Sequence, residues 1–400
     1  MTGGQIEVTY KVVTPLFCGG ATGSAAEVRV PSLKGVLRWW WRALAWSRCE
    51  GDLDKIHKQE AALFGSANHG QSHVIMRLVP SAAPRMRDPG DRLMFDGKVV
   101  GEGARYLGYG VMEAFRSENK KVEAGQLTRA CLDAPLEIKL SLGVRKLGSE
   151  QRAWLLEALR ALGLLGGLGA KSRKGYGSLV LRSILMDDQP IWSPPGSGEE
   201  LQRAIAALLP SASVTDTLPA YTALSPRTRI VLYAGRERQS PLELLDVIGR
   251  QMMRYRSWGH DGKVLGRERE GNFKPDHDLM RVQLPRQRRT HPVRIVFGLP
   301  HNYGKNDDDK VGPGDRGATD RRASPLLIHI HECGTTPIAV LSFLPAQFLP
   351  NGDQATINVG GPRITITRDP ELWQPIHRFL DRFFRADCED LPGHAREVRR

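Results

Sequence analysis

The sequence predicts an α+β protein made of two similar halves, and three observations lead to this fold class. In the first half, predicted strands and helices follow one another in the order β-α-β-β-α-β, which is the order of the split βαβ, or ferredoxin-like, unit. A helix that combines basic and aromatic residues occurs once in each half. The linker-like stretch WSPPGSG, at 192–198, lies between the two helices.

The first half is predicted from hydrophobic periodicity. The run LEIKLSL alternates as a half-buried strand does, and the helix PSLKGVLRWWWRALAW has Ser32 as its expected N-cap. A second helix places Trp154, Leu155 and Leu159 on one side. The glycine-aromatic stretch at 101–115 matches no template. The six predicted elements are 6–13, 33–46, 73–79, 136–142, 150–162 and 178–184.

The second half starts after a predicted linker at 196–220, which divides the chain into domains 1–195 and 221–400. A helix opens at Ser240-Pro241 with a capping pattern and extends to about Trp258. The polar, basic stretch 260–290 is interpreted as a mobile insertion. The remaining elements are predicted strands at 229–234, 293–297, 326–331, 338–344 and 364–367, and a last helix at 371–385.

The charge of the chain favours polyanionic partners. Its 57 Lys and Arg against 44 Asp and Glu give a formal net charge of +13, which attracts RNA, DNA or an anionic surface. No apolar run is long enough to span a membrane, and the N-terminus shows no signal-peptide pattern. The five cysteines are widely spaced without a Cys-x-x-Cys pair. We therefore expect a cytoplasmic protein with free thiols and without a membrane partner.

The stretch LGLLGGLGAKSRKGYGSL, at 162–179, is the first candidate site. Glycines allow close approach of backbone N–H groups to an anion, and cations beside an aromatic ring suit a phosphodiester with its base. A mononucleotide loop is excluded because Ala170 separates Gly169 from the lysine and because the helix precedes the strand. A flexible turn with solvated charges explains one such loop equally well. The candidate RNA-binding residues of this loop are Gly166, Gly167, Gly169, Lys171, Ser172, Arg173, Lys174 and Tyr176.

The helix at 33–46 is the second candidate site. Lys34, Arg38 and Arg42 recur at i, i+4 and i+8 and form a basic stripe. Trp41 borders the stripe and is predicted to stack on a base, whereas Trp40 is predicted to lie in the core. Core packing of each tryptophan and a solvated charged face are the alternatives. RNA would follow the groove between this stripe and the glycine loop.

The helix that begins after Ser240 shows a similar pattern. Arg250, Arg254 and Trp258 recur at i, i+4 and i+8, as the cations of the first-half helix do. We interpret the recurrence as an internal duplication, and we add Arg250 and Arg254 to the candidate RNA-binding residues.

Several motifs resemble the RAMP superfamily of CRISPR proteins and, more narrowly, the first RAMP subunit of the type III-B Cmr effector complex. They are TPLFCGG at 14–20, PSLKGVLRWWWRAL at 31–44, EAALFGS at 60–66, GGLGAKSRKGYGSL at 166–179, FGLP at 297–300 and RRASPLLIHI at 321–330. The resemblance implies two tandem ferredoxin-like (RRM-like) RAMP domains with insertions. It also implies a non-catalytic subunit that binds the 3′ part of a guide RNA, target RNA and other Cmr subunits in antiviral defence. The length and basicity of 260–290 depart from the family pattern.

The sequence offers little support for catalysis. Some RAMP proteins are metal-independent endoribonucleases, which need an acid–base pair near the scissile phosphate. Neither candidate stretch contains histidine, and a solvent-facing glycine loop would shift a lysine pKa little. A guide-processing endoribonuclease is therefore the alternative function. His329, His331 and Cys333 could share a strand face, but no fourth metal ligand is evident, and we predict neither metal nor cofactor.

Overall fold

The computed structural model describes the chain from Gly4 to Arg400 with short gaps. The residues outside the description are 1–3, 21–24, 69, 81–83, 146, 212–216, 260, 305, 315–320, 350–353, 368–369, 386–390 and 392–394. The middle of the predicted linker, together with His69, His260 and Cys388, therefore lies outside the described residues.

The first half contains two long helices beside one sheet, with shorter elements between them. Its strands are β1 (Gly4–Val12), β2 (Val74–Val79), β3 (Met86–Arg87), β4 (Met94–Phe95), β5 (Lys98–Val99), β6 (Cys131–Leu132), β7 (Leu136–Val144), β8 (Leu179–Met186) and β9 (Gln189–Trp192). Its helices are α1 (Val30–Arg48), α2 (Leu53–Phe64), α3 (Glu102–Leu107), α4 (Ser149–Leu165) and α5 (Gly198–Ala206).

The second half is similarly mixed. Its strands are β10 (Arg229–Ala234), β11 (Lys263–Val264), β12 (Arg267–Glu268), β13 (His301–Asn302), β14 (Lys310–Pro313), β15 (Leu326–Cys333), β16 (Thr336–Phe343), β17 (Thr356–Val359), β18 (Arg363–Thr365) and β19 (Ala395–Val398). Its α-helices are α6 (Pro241–Arg256), α7 (Lys274–Arg281) and α8 (Gln374–Asp381). Short 3₁₀ turns occur at Pro285–Gln287, Val293–Phe297, Asp307–Asp309, Glu371–Trp373 and Arg382–Phe384.

The main sheets of the two halves have the same connectivity. The first has the strand order β2-β7-β1-β8-β9 and the second β15-β16-β10-β19. In each, the first strand in the chain lies between the third and the fourth and is antiparallel to both. Helices connect equivalent strands, since α1 and α4 follow β1 and β7, and α6 and α8 follow β10 and β16. This agreement supports the predicted duplication.

The hydrophobic core continues from one half into the other. Leu159 of helix α4 belongs to the same buried cluster as Leu232 and Val340 of the second sheet. A second cluster joins Tyr176 and Val180 to α6 and β15. The two halves therefore meet over buried apolar surface, and the glycine loop lies at this junction.

Several local predictions were wrong, each for a physical reason. Residues Val293–Phe297 form a 3₁₀ turn and no strand, because Asp276 accepts the backbone N–H groups of Val293 and Arg294. The N-cap of α1 is Arg29, and the helix begins at Val30 with Pro31 in its first turn. Within 261–290, the hairpin β11–β12 and helix α7 are folded, so this insertion is structured.

Candidate nucleic-acid interface

The glycine loop, residues 166–178, connects α4 to β8 as predicted and is held by neighbouring elements. Phe17 and Pro15 accept the N–H groups of Ala170 and Gly177 at 2.7 and 2.9 Å. On its other side, strand β15 donates the N–H group of Ile328 to the carbonyl of Arg173 at 3.0 Å. The loop is thus a rigid connection between the halves, and the hypothesis of a flexible turn was wrong.

The glycines of the loop make room for protein atoms. A Cβ atom at Gly166 would lie 2.4 Å from Nε1 of Trp40, and one at Gly167 would lie 2.8 Å from the carbonyl oxygen of Gly177. Gly169 has a φ of +84°, and its Cβ would lie 2.5 Å from the carbonyl of Phe17. Gly166 and Gly167 are buried, so the structure does not support their predicted contact with phosphate. Gly169 is partly exposed, and its contact with phosphate stays a prediction.

Tyr176 is also unavailable to a ligand. Its side chain is fully buried, its hydroxyl donates to the carbonyl of Ala104 at 2.7 Å, and its ring packs edge-on against Phe17. Burial raises the pKa of the hydroxyl well above its ordinary value. The prediction that Tyr176 contacts RNA was therefore wrong. Its ring is a core contact between the loop and α3, an element that the sequence did not reveal.

The three cations of the loop differ in their surroundings. Lys171 is partly exposed and adopts a left-handed backbone, with a φ of +64°. Arg173 donates to the carbonyl of Ser324 at 3.1 Å and lies over the ring of Trp39, 5.1 Å from its centre. Lys174 is partly exposed as a residue. Its Nζ atom, however, is buried and has no hydrogen-bond partner among the described residues.

Further cations, which the sequence analysis missed, surround the loop. Arg129 and Arg321 are exposed and close enough to lower the pKa of Lys171, after the larger effect of burial. Arg256, at the end of α6, lowers the pKa of Lys174 in the same way, and burial with its neighbouring cations brings that pKa to about 7. Arg129 belongs to the same half as the loop, whereas Arg256 and Arg321 belong to the second half and reach the loop through the association of the halves.

The cations around the glycine loop lie close to one another, and burial lowers the pKa of Lys171 and Lys174. The described residues form no ion pair with Lys171, Arg173, Lys174 or Arg256, so their charges repel one another without a neutralising carboxylate. Burial lowers the pKa values of Arg173 and Arg256 in the same direction as that of Lys174. We refer to Arg129, Lys171, Arg173, Lys174, Arg256 and Arg321 as the cation cluster.

The cations of the basic stripe of α1 have hydrogen-bond partners on helix α2. Glu60 of α2 is buried, and it accepts Nε of Arg38 at 2.7 Å and Nη1 of Arg42 at 2.6 Å. Lys34 donates to the carbonyl of Phe64 at 3.0 Å. These contacts direct the stripe toward α2. Lys34, Arg38 and Arg42 remain partly exposed, and the groove between the stripe and the glycine loop stays a prediction. The acidic partner comes from the EAALFGS motif, whose role the sequence pattern did not show.

Of the two tryptophans of α1 with predicted positions, one lies where the sequence predicted and the other does not. Trp40 lies in the core as predicted, with an exposed fraction of 2%. Trp41 is equally buried at 2% and packs against Phe64 and Trp154, with ring centres 6.3 and 5.8 Å away. The prediction that Trp41 meets a ligand was therefore wrong, because α2 and α4 cover its face of the helix. Trp39 is the partly exposed ring that contacts the glycine loop through Arg173.

The two predicted arginines of α6 have carboxylate neighbours. Arg250 lies 3.3 Å from Asp246, one helical turn earlier, and Arg254 lies 3.7 Å from Glu270, next to hairpin β11–β12. The last turn of the helix instead presents Arg256 to the glycine loop. The contact of Arg250 and Arg254 with RNA stays a prediction, and the repeating pattern did not point to Arg256.

The histidines of β15 form an internal pair. His329 donates from Nδ1 to the carbonyl of Gly166 at 2.7 Å, and its Nε2 lies 3.2 Å from Nδ1 of His331. Burial lowers the pKa of both imidazoles. In the described part of the chain, no group of three or more metal-ligating side chains lies together. In the same residues, no helix is long and apolar enough to cross a membrane.

Comparisons with known proteins agree with this architecture. The RAMP superfamily model matches residues 9–180. The Cmr subunit Cmr1-1 of Pyrococcus furiosus is 27% identical over 81% of this chain and 82% of its own length. The subunit Cmr1-2 of the same organism is 27% identical over 44% of this chain and 96% of its own. The apo crystal structure of Pyrococcus furiosus Cmr1 aligns over 99% of this chain and 98% of its own, with 19% identity and a TM-score of 0.53.

The family match includes α1, α4 and the glycine loop, and the similarity to Cmr1-1 extends over most of the chain. Residues 9–180 thus match the RAMP superfamily, and the resemblance of the chain to a Cmr1-like RAMP subunit is confirmed.

Proposed function

We propose that this protein is a non-catalytic, RNA-binding subunit of a type III-B CRISPR Cmr effector complex. In this role it would bind the 3′ part of the guide RNA, target single-stranded RNA, or both, and would contact other Cmr subunits in the cytoplasm. Its similarity to two Cmr subunits supports membership in such a complex. RNA as the ligand is supported by the geometry of the cation cluster.

The observation that carries this proposal is that no carboxylate among the described residues pairs with the lysines of the glycine loop. In the described residues, the stripe of α1 is paired with Glu60, whereas Lys171 and Lys174 form no ion pair. Like charges that lie close together without a counter-charge repel one another and destabilise the folded protein. The phosphates of a polyanion would supply the counter-charges. Trp39, whose ring is partly exposed beside Arg173, would stack on a base next to the phosphates.

We further propose that each half is one ferredoxin-like RAMP domain, 1–195 and 221–400, joined by a linker at 196–220. The shared connectivity of the two sheets supports this division. The continuous core between the halves fixes their relative position, so the cation cluster is a property of the pair of domains.

The test is binding of purified protein to single-stranded RNA at several salt concentrations. Removing one phosphate contact should reduce the slope of log K against log salt by about 0.7. Lys171→Met should show this change, and Lys34→Met, whose amine binds a carbonyl, should leave the slope unaltered. Equal slopes for the wild type and the Lys171 variant would contradict RNA binding at the cluster.

A guide-processing endoribonuclease remains the second candidate, and one observation favours it. The expectation that the loop would shift no lysine pKa was wrong, because burial brings the pKa of Lys174 to about 7. A lysine with that pKa suits proton transfer near neutrality. End-labelled guide RNA incubated with excess protein separates the two functions. Intact RNA supports the binding subunit, and a discrete product that Lys174→Met abolishes supports the enzyme.

A further inference from the structure

The glycine-aromatic stretch 101–115, which matched no template in the sequence, packs against the glycine loop. The hydroxyl of Tyr176 donates to the carbonyl of Ala104 in α3 at 2.7 Å. A Cβ atom at Gly108 would lie 3.2 Å from the same hydroxyl oxygen, and one at Gly103 would meet the backbone of helix α6. Helix α3 and the turn that follows it are therefore held between the glycine loop and the second half of the chain.

The turn after α3 lies beside the partly exposed cation of the glycine loop. A Cβ atom at Gly110 would lie 3.8 Å from Nζ of Lys171, an ordinary van der Waals distance. Consecutive Cα atoms are about 3.8 Å apart, so the Cα atom of Tyr109 lies within about 9 Å of this amine. Tyr109 and the amine of Lys171 are thus close neighbours in the fold, although they are distant in the sequence.

Tyr109 combines an exposed ring with a fixed backbone. Its exposed fraction is 67%, the largest among the described Phe, Tyr and Trp residues. Its N–H group donates to the carbonyl of Tyr106 at 3.3 Å, and the N–H groups of Val111 and Met112 share the carbonyl of Gly108 at 2.9 and 3.2 Å. A tyrosine has only two side-chain torsions, so covering its ring costs little conformational entropy. The ring is therefore well suited to stack on a flat ligand.

A second exposed ring in the same stretch, Phe115, has different surroundings. Its exposed fraction is 57%, but the adjacent Arg116 lies within 3.6 Å of two carboxylates. Lys171, in contrast, forms no ion pair with any residue that the structure describes. Single exposed aromatic rings are common on protein surfaces, and it is the unpaired cation next to Tyr109 that indicates an anionic, nucleic-acid ligand there.

We propose that Tyr109 stacks on an unpaired base of the RNA strand whose phosphate Lys171 contacts. This inference rests on the proposed function and adds a residue that the cation cluster does not contain. Every base has an aromatic face, so this contact accepts any sequence. A base within a duplex already stacks on both neighbours, and its faces are not free. The ligand of this surface is therefore single-stranded RNA with one base turned out of its stack.

The experiment compares the affinities of the wild type, Tyr109→Ala and Phe115→Ala for one single-stranded RNA at several salt concentrations. Tyr109→Ala should weaken binding by about 5- to 150-fold, the effect of one stacked base. The factor should be the same at every salt concentration, because no phosphate contact is removed. Phe115→Ala, which removes a similarly exposed ring, should bind with wild-type affinity.

Two results would overturn the stacking contact and leave RNA binding itself intact. One is equal affinity of the wild type and Tyr109→Ala. The other is a salt slope reduced as in Lys171→Met, which would make Tyr109 a support for the lysine. Failure of the wild type to bind any single-stranded RNA would overturn the proposed function, and the stacking contact with it. Circular dichroism checks that Tyr109→Ala is folded, and Tyr109→Leu replaces it where it is not.

The fluorescent base 2-aminopurine gives an independent measurement. It is placed at each position of the RNA in turn, and at one position its emission should be lower with the wild type than with Tyr109→Ala, because stacking quenches it. Tyr109→Phe should keep both the quenching and the affinity, since a phenyl ring stacks as a phenol does. A loss in Tyr109→Phe as large as in Tyr109→Ala would assign the contact to the hydroxyl and overturn the stack. If no position responds and Tyr109→Ala instead fails to bind other Cmr subunits, the ring is a protein contact and the stack is overturned.

Discussion

Helix α1 and the glycine loop carry similar side chains in very different surroundings. Each has three cations and at least one aromatic residue within a short stretch of sequence. The cations of α1 face Glu60 and a carbonyl of α2, and its Trp41 is buried. The cations of the loop face other cations. The comparison shows that residues from distant elements decide whether the cations of a basic stretch are paired within the protein.

The first prediction, which has the largest expected effect, tests whether Trp41 of α1 stabilises the fold. Trp41→Ala should reduce the free energy of unfolding by about 3–5 kcal/mol, as much as Trp40→Ala, because both rings are fully packed. Thermal or denaturant unfolding of the two variants measures this. A Trp41 variant with wild-type stability and weakened RNA binding would restore the ligand role that the sequence predicted.

The second prediction concerns the exposed members of the cation cluster. Arg129→Met combined with Lys171→Met should weaken single-stranded RNA binding by about tenfold for each phosphate that the variant no longer binds, independent of sequence. As a control, Arg38→Met, Arg42→Met and Glu60→Met together remove two cations and the one carboxylate with which both are paired. This triple variant should retain RNA affinity per folded molecule. Equal losses of affinity in the two variants would show that both basic stretches bind RNA.

The third prediction uses the titration of Lys174, which faces Lys171, Arg173 and Arg256. In the free protein its pKa is about 7, and a bound phosphate raises it, so binding takes up a proton. RNA affinity should therefore fall as pH rises above 7, by at most about tenfold per unit. Titrations from pH 6 to 9 measure the slope, and Lys174→Met should flatten it.

The free energy of unfolding should rise over the pH range above 7, in which RNA affinity is expected to fall. The folded lysine loses its proton near pH 7, whereas the unfolded lysine keeps it until about pH 10. The unfolded state thus binds more protons between these values, and stability should rise with pH. A group whose titration unfolds the protein would lower RNA affinity and stability together. For Lys174 we expect RNA affinity to fall with pH while stability rises.

The sequence was most informative where the evidence is local. The periodicity of α4, the order of the main strands and the capping pattern at Ser240 were all present in short stretches, and the structure has them. The sequence could not show that Glu60 neutralises Arg38, because the ion pair depends on how α2 packs against α1. Arg256 was missed for the same reason, since it reaches the loop only after the two halves associate.

The smallest expected effect concerns Arg250, which the repeating pattern had assigned to RNA. Its side chain is exposed and lies 3.3 Å from Asp246 on the same helix. A solvent-exposed pair one turn apart contributes about 0.3–0.5 kcal/mol, so Arg250→Met should change stability by no more than that. RNA affinity and the salt slope should stay at their wild-type values, because the side chain is compensated and points to α3, whose Ala104 N–H donates to Asp246 at 3.1 Å. The matched variant is Arg256→Met, six residues later, which should weaken RNA binding. If Arg250→Met lowers the salt slope as much as Arg256→Met does, the RNA follows helix α6 along its outer face, and the distinction between compensated and uncompensated cations fails for this half of the protein.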